Sequence, residues 1–227
     1  MNGDFEHAYF PVSLDLDGRL AVVIGGGTTA EKHVRSLLHY GADVLVIAPQ
    51  VTDGLDDLVA QGVIEHEERD YVRGDLAGAF IVVSAAESLE TCRAVYQEAE
   101  GQGCLVSSAR APELCNFIIP AVVERGLLQI AVSTAGASPQ VATEIRDDLD
   151  SRFGPEWVYY VRLLGQVRRI ATDRVANPEA REDLLRALAE LPLRERVVAG
   201  ERPNAEDVFR ELMLGADEAA PARGGAE

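Results

Sequence analysis

The chain has 227 residues, 47% of them hydrophobic and 26% charged, with a formal net charge of −17. That length accommodates one full domain with smaller appendages. So strong a negative charge repels phosphate backbones and anionic lipid, and no basic patch offsets it, which excludes nucleic acid and membrane surfaces as leading partners.

No run of about 18 apolar residues offers a membrane span, and Asp4 and Glu6 stand where a secretory leader needs basic residues. The expectation is a cytoplasmic globular protein. Cys92, Cys104 and Cys115 are odd in number and lack C-x-x-C spacing, so they read as buried, inert thiols rather than a disulfide framework or a zinc site. His7, His33, His39 and His66 have no metal-ligand spacing and read as surface residues, and no metal site is expected.

Leu20 to Ile24 is a short β-branched apolar run followed by glycines, and Ala30, Val34, Leu37 and Leu38 then recur at helical spacing from Thr29 to Tyr40. Asp43 to Ala48 is a second apolar run, ended by Pro49, which completes a β-α-β unit. A helical stretch around Leu55 to Gln61 precedes strands at Val63 to Glu67 and Ala79 to Ser84, a helix at Leu89 to Gln102, and a strand at Cys104 to Ser108. Strands alternating with helices in this rhythm predict a Rossmann-type α/β fold with a doubly wound parallel sheet over residues 1–115.

From Asn116 the texture changes. Phe117 to Val123 and Leu127 to Ser133 form a hairpin pattern around Glu124, Arg125 and Gly126, and an amphipathic helix follows from about Gln140 to Arg152. This segment, 116–153, has too little core to stand alone and is expected to pack against a partner. Residues 154–214 carry three apolar helical stripes punctuated by Pro178, Pro192 and Pro203, a small helical domain. Trp157 reads as helix packing, and Glu144, Asp147, Asp148 and Asp150 as a solvated helix face. The Ala/Gly/Glu-rich end, 215–227, reads as a disordered tail.

The chemistry resides in Gly25-Gly26-Gly27-Thr28-Thr29-Ala30, a G-x-G-x-x-A turn between a strand and a helix. Gly25 permits the tight turn, Gly27 lets backbone approach a pyrophosphate at the helix N-terminus, and Ala30 allows close helix-to-strand packing. The acid that usually holds the adenosine ribose is missing after the second strand, where Ile47-Ala48-Pro49-Gln50 stands. No arginine there favours a 2′-phosphate, so NAD is the simpler cofactor.

Beyond the glycine turn, P-E-L-C-x-F-I-x-P-A from Pro112, L-Q-I-A-V-S-T from Leu128 and G-x-S-P from Gly136 occur in order. Together with the N-terminal β-α-β unit they resemble the precorrin-2 dehydrogenase/sirohydrochlorin ferrochelatase family, siroheme synthase N-terminal type, over about the first 150 residues. The resemblance implies NAD-dependent oxidation of precorrin-2 to sirohydrochlorin, with insertion of ferrous iron, Fe2+ then being a substrate, as a second activity of some members.

It further implies a homodimer built by residues 116–153, a tetrapyrrole cleft beside the NAD domain, and cofactor contacts from Thr28, Thr29, Pro49 and Gln50. Asn116 either bonds locally or faces the cleft, and Ser133, Thr134 and Ser138 either cap and turn the chain into the next helix or contact substrate carboxylates. Without a methyltransferase domain the chain is similar to the stand-alone form.

One departure matters. Where the family carries a catalytic aspartate shortly before P-E-L-C, this sequence has Arg110. A guanidinium stays protonated and cannot serve as a base, yet it can bind a substrate carboxylate bidentately. Two readings of function therefore stand: the dehydrogenase, with chelation weakened by Arg110, and a non-catalytic carrier or regulator that binds tetrapyrrole or dinucleotide.

Overall fold

The computed structural model describes residues 9–219; His7 and residues 220–227 of the tail lie outside them. The chain divides into two compact units, the first running to Ile119 and taking in Ala135–Ala137, the second holding the hairpin and all later helices.

The first unit is a five-stranded parallel sheet in the order β3-β2-β1-β4-β5. Its strands are β1 (Leu20–Ile24), β2 (Asp43–Ile47), β3 (Glu65–Glu67), β4 (Ile81–Ser84) and β5 (Leu105–Ser108). Valine and isoleucine dominate the central strands because both faces are covered, which removes the polar alternation of a half-exposed sheet.

Helices α1 (Thr28–His39) and α2 (Asp53–Ala60) cover one face, where Val34, Leu37 and Leu55 pack with Val23, Val46 and Val83. Helix α3 (Leu89–Gln102) covers the other, where Val95 and Ala99 pack with Val22, Val82 and Val106. The doubly wound fold expected from the sequence is therefore present.

Register fixes the working edge. Ile24 pairs with Ile47 and with Ser84, Ser84 with Ser108, and Ile47 with Glu67, so all five strands end on one line. The order in which strands are added reverses between β1 and β4, the switch point at which open α/β sheets bind ligands beyond the strands' carboxyl ends.

The third strand is shorter than its apolar run suggests. The amide of Val63 donates to Leu58 O at 3.0 Å to close α2, which delays extended pairing to Glu65.

In the second unit β6 (Ala121–Arg125) and β7 (Leu128–Val132) form an antiparallel hairpin backed by α4 (Pro139–Arg152). The hairpin begins later than the sequence suggests, since Phe117 packs in the core of the first unit instead of extending β6. Arg125 ties the hairpin to the end of α4 through Phe153 O at 2.6 Å and the Asp150 carboxylate at 2.9 Å.

Helices α5 (Glu156–Arg174), α6 (Pro178–Glu190), α7 (Leu193–Val198) and α8 (Ala205–Ala219) share a core of Leu163, Val167, Leu188, Leu193 and Phe209. The hairpin, α4 and these helices cluster as one unit, where the sequence suggests a break near residue 153, because α5 also touches β7. Helix α8 also runs through Gly215–Ala219, five residues into the segment expected to be a disordered tail, since that stretch is rich in helix-forming alanine and acid.

Trp157 does serve packing. Its ring centroid lies 5.0 Å from Phe153 and 5.6 Å from Tyr160, and the Arg194 guanidinium sits 5.3 Å from it.

Candidate functional site

A cleft of about 780 Å³ opens along the carboxyl ends of the five strands, entirely within the first unit. Each strand contributes the residues that follow it: Gly25–Gly27 after β1, Pro49 and Gln50 after β2, Asp70 and Tyr71 after β3, Ala85–Glu87 after β4, and Ala109 and Arg110 after β5. Ladder bonds carry on past the strand ends, with Gly25 N donating to Ile47 O at 2.9 Å, Ala85 N to Ile24 O at 2.8 Å and Ala109 N to Ser84 O at 2.9 Å. The floor of the cleft is thus fixed by the sheet.

The three glycines do different work. Gly25 lies at φ +112°, and a Cβ there would come within 2.7 Å of Ala85 O. A Cβ on Gly26 would sit 2.0 Å from Gln50 O, because the loop after β2 folds over the turn and Thr52 N donates to Gly26 O at 3.0 Å. Gly27 has φ −80° and ψ −176°, conformations open to any residue, and its Cβ would meet nothing within 4 Å.

Nothing among the described residues therefore requires glycine at residue 27. It is the N-cap of α1, no side chain caps that helix, and the leading amides stay available at the positive end of the helix dipole. An uncapped helix N-terminus behind an open backbone cradle fits the pyrophosphate of a dinucleotide.

The rim on the β2 side is bolted down by Thr52, whose hydroxyl donates to Glu31 Oε2 at 2.7 Å, while Arg35 donates to Glu31 Oε1 at 2.7 Å. The bond from Thr52 and the guanidinium of Arg35 hold the Glu31 carboxyl below its usual range. Across the rim, His66 lies within 2.9 Å of Ala48 O and is half-buried rather than a surface group; His33 is half-buried as well, and burial lowers its pKa. Only His39 of the three described histidines is exposed.

Arg110 is the one cationic side chain among the described residues lining the cleft. It is exposed, but the loop carrying it is anchored: Ser108 N donates to Cys115 Sγ at 3.1 Å and Ala111 N to Ser108 Oγ at 3.3 Å. Cys115 is half-buried beneath this loop, so of the three free thiols only Cys92 and Cys104 are fully buried as expected.

The other residues assigned to substrate are occupied elsewhere. Asn116 does not line the cleft. Its amide donates to Glu100 Oε1 at 2.7 Å and Cys104 O at 2.9 Å, and its carbonyl accepts from Val106 N at 2.7 Å, which fastens the chain to β5. Thr134 Oγ1 exchanges bonds with Ser138, accepting from its amide at 3.1 Å and donating to its carbonyl at 3.0 Å. Ser138 Oγ accepts from Val141 N at 3.3 Å as the N-cap of α4. Ser133 is exposed.

Sequence reasoning missed the residues after β3 and β4, although the rule that every strand end faces the cleft points to Asp70, Tyr71 and Glu87. It also missed Glu98, a 4%-exposed carboxylate on α3 that accepts from Tyr71 Oη at 2.6 Å. Burial opposes its ionisation, but the bonds from Tyr71, Gly74 and Leu76 outweigh it and hold its pKa below the usual range. Burial, with this neighbouring carboxylate, pushes the Tyr71 phenol up. An acid beside the buried positions Cys92, Val95 and Ala99 of one helix was the available signal.

A family model for NAD(P)-binding domains matches residues 12–121, and one described as sirohaem biosynthesis protein central matches residues 125–152. Among solved structures, SirC, precorrin-2 dehydrogenase, superposes with a TM-score of 0.76 at 27% identity, over 91% of this chain and all of that one. In sequence and fold the chain is similar to precorrin-2 dehydrogenase and to siroheme synthases.

Siroheme synthases of Pseudomonas aeruginosa and Nitrosococcus oceani are 33% and 29% identical to this chain over 91% of its length. The alignment covers 44% of each relative, so the chain spans less than half the length of these curated relatives. Among the described residues no helix is long and apolar enough to cross a membrane.

Proposed function

We propose that this chain oxidises precorrin-2 to sirohydrochlorin with NAD as the hydride acceptor, within the cytoplasm. The observation that carries the reading is the uncapped N-terminus of α1 behind Gly27, open to a cleft at the sheet's switch point. The likeness to SirC and to siroheme synthases supports the choice of substrate.

NAD, when bound, supplies the hydride-accepting chemistry. The protein's part is to bind and orient. The first amides of α1 hold the pyrophosphate, and Pro49 and Gln50 border the adenosine half beyond β2. Ala85, Ala86 and Ala109 leave room above β4 and β5 for the other half. At that end Arg110 binds a substrate carboxylate, and its fixed positive charge orients a polyanion without taking up a proton. The proton lost in oxidation passes to water at this exposed rim.

The same charge opposes entry of a metal dication, so ferrous iron insertion is the weaker activity of this chain. We also infer a homodimer through the hairpin and α4. Its support is that α4 buries Ala142 alone, while Val141 and Ile145 on it and Leu127 at the hairpin turn are exposed.

The test mixes the purified chain, anaerobically generated precorrin-2 and NAD, and follows NADH absorbance with the sirohydrochlorin spectrum. Turnover is expected, and Arg110→Ala should raise KM for precorrin-2 by about tenfold, the loss of one charge-assisted contact, with KM for NAD unchanged. Tetrapyrrole binding without NADH formation, in both the native chain and Arg110→Asp, would overturn the enzyme in favour of a carrier.

A further inference from the structure

The connection from β3 to β4 crosses the sheet from Glu68 to Phe80 with no helix of its own. Crossovers of parallel sheets are ordinarily helical, which satisfies their backbone internally. Here the amide of buried Leu76, and with it that of Gly74, needs another acceptor.

Glu98 supplies it. From α3 its carboxylate accepts from Gly74 N at 2.9 Å, Leu76 N at 3.1 Å, Tyr71 Oη at 2.6 Å and Gln102 Nε2 at 3.0 Å. A second carboxylate, Asp75, closes the loop on itself through Arg69 at 2.7 and 3.0 Å and Val72 N at 2.8 Å. Every group around Glu98 is a donor, so an amide in its place would turn an NH2 toward other donors.

This loop also forms a wall of the cleft. Asp70 and Tyr71, just ahead of its turn at 73–78, line the cleft beyond β3, while Glu98 itself does not. The strand order puts that wall on the β2 side of the glycine turn, the side on which a Rossmann cofactor lays its adenosine, and opposite Arg110.

We propose that Glu98 is a positioning residue for the dinucleotide, holding Tyr71 as the wall against which the adenosine half packs. The inference rests on the dinucleotide reading above. It accounts for a buried carboxylate placed at the one crossover that lacks a helix and borders the site.

The test compares the native chain with Tyr71→Phe, which keeps the ring but frees it from Glu98, and with Glu98→Gln. Calorimetric titration with ADP-ribose and steady-state kinetics with precorrin-2 and NAD are run at a temperature where thermal melts show each variant folded. The expected result is ADP-ribose affinity lowered about fivefold to tenfold in Tyr71→Phe and further in Glu98→Gln. KM for NAD should rise by the same factor, with kcat and KM for precorrin-2 held.

A lowered melting temperature with ADP-ribose affinity and KM for NAD unchanged in Tyr71→Phe would overturn the inference and leave Glu98 as a fold residue. Failure of the native chain to bind ADP-ribose or NAD would overturn the dinucleotide reading and this inference with it.

Discussion

Helices α1 and α3 begin one strand apart on the rim of the same cleft, and only one of them is closed. Ser88 caps α3 by accepting from Thr91 N at 3.3 Å, and Thr52 caps α2 in the same way through Leu55 N. Gly27 gives α1 no such bond. Glycine at an N-cap forgoes only a few tenths of a kcal/mol, roughly, relative to serine or aspartate. The bare end of α1 thus keeps its donors for an anion at little cost in stability, while α3 spends its cap on itself.

The largest expected effect comes from closing α1. Gly27→Asp places a carboxylate where it accepts from the first-turn amides and neutralises the dipole end. The helix gains about 0.5 kcal/mol, a rise in Tm of about 1–2 °C for a chain of this size. Affinity for NAD should fall by about 100-fold, the loss of two charge-assisted contacts at about 1.5 kcal/mol each. Scanning fluorimetry and calorimetric titration read the two quantities separately. A more stable protein that still binds NAD would show that the bare helix end is not the anion site.

How much of this was legible in the sequence depends on how local each cause is. Strand β1, the glycine turn and α1 follow from neighbours in the chain, and periodicity found them. Val63 reads as strand, yet its amide is used to close α2. Asn116 offered two readings, local bonding or the cleft, and its partners Glu100, Cys104 and Val106 decide for the first. The short helix α7 is hidden between Pro192 and Gly200 because six residues make fewer than two turns, too few for a repeating pattern. The pairing of Tyr71 with Glu98 spans 27 residues and exists only once the sheet has formed. The cofactor half of the candidate site was therefore visible, and its β3 wall was not.

The next effect separates two adjacent glycines. Gly26→Ala drives a methyl group to 2.0 Å from Gln50 O and 2.9 Å from Val51 Cα, both backbone atoms that cannot rotate away. The loop after β2 must lift and release the bond from Thr52 N. The expected cost is about 2–4 kcal/mol, the range of overpacking with lost hydrogen bonding, measured by urea denaturation. Gly27→Ala meets no neighbour, so its only cost is that of a poorer N-cap, about 1 kcal/mol or less and well below that of Gly26→Ala, while it weakens NAD. Equal loss of stability in both would mean that Gly27 also serves packing.

The smallest expected effect tests the closed helix. In Ser88→Ala the amide of Thr91 loses its acceptor at the first turn of α3, a cost of about 1 kcal/mol and of about 2–4 °C in Tm. Ser88 borders the cleft, but its hydroxyl oxygen is committed to its own helix, so NAD affinity should change by less than about threefold. The helix absorbs the loss because water can reach the freed amide at the exposed N-cap. If Ser88→Ala instead weakens NAD as strongly as Gly27→Asp does, the anion is shared by both helix ends and the contrast between them is wrong.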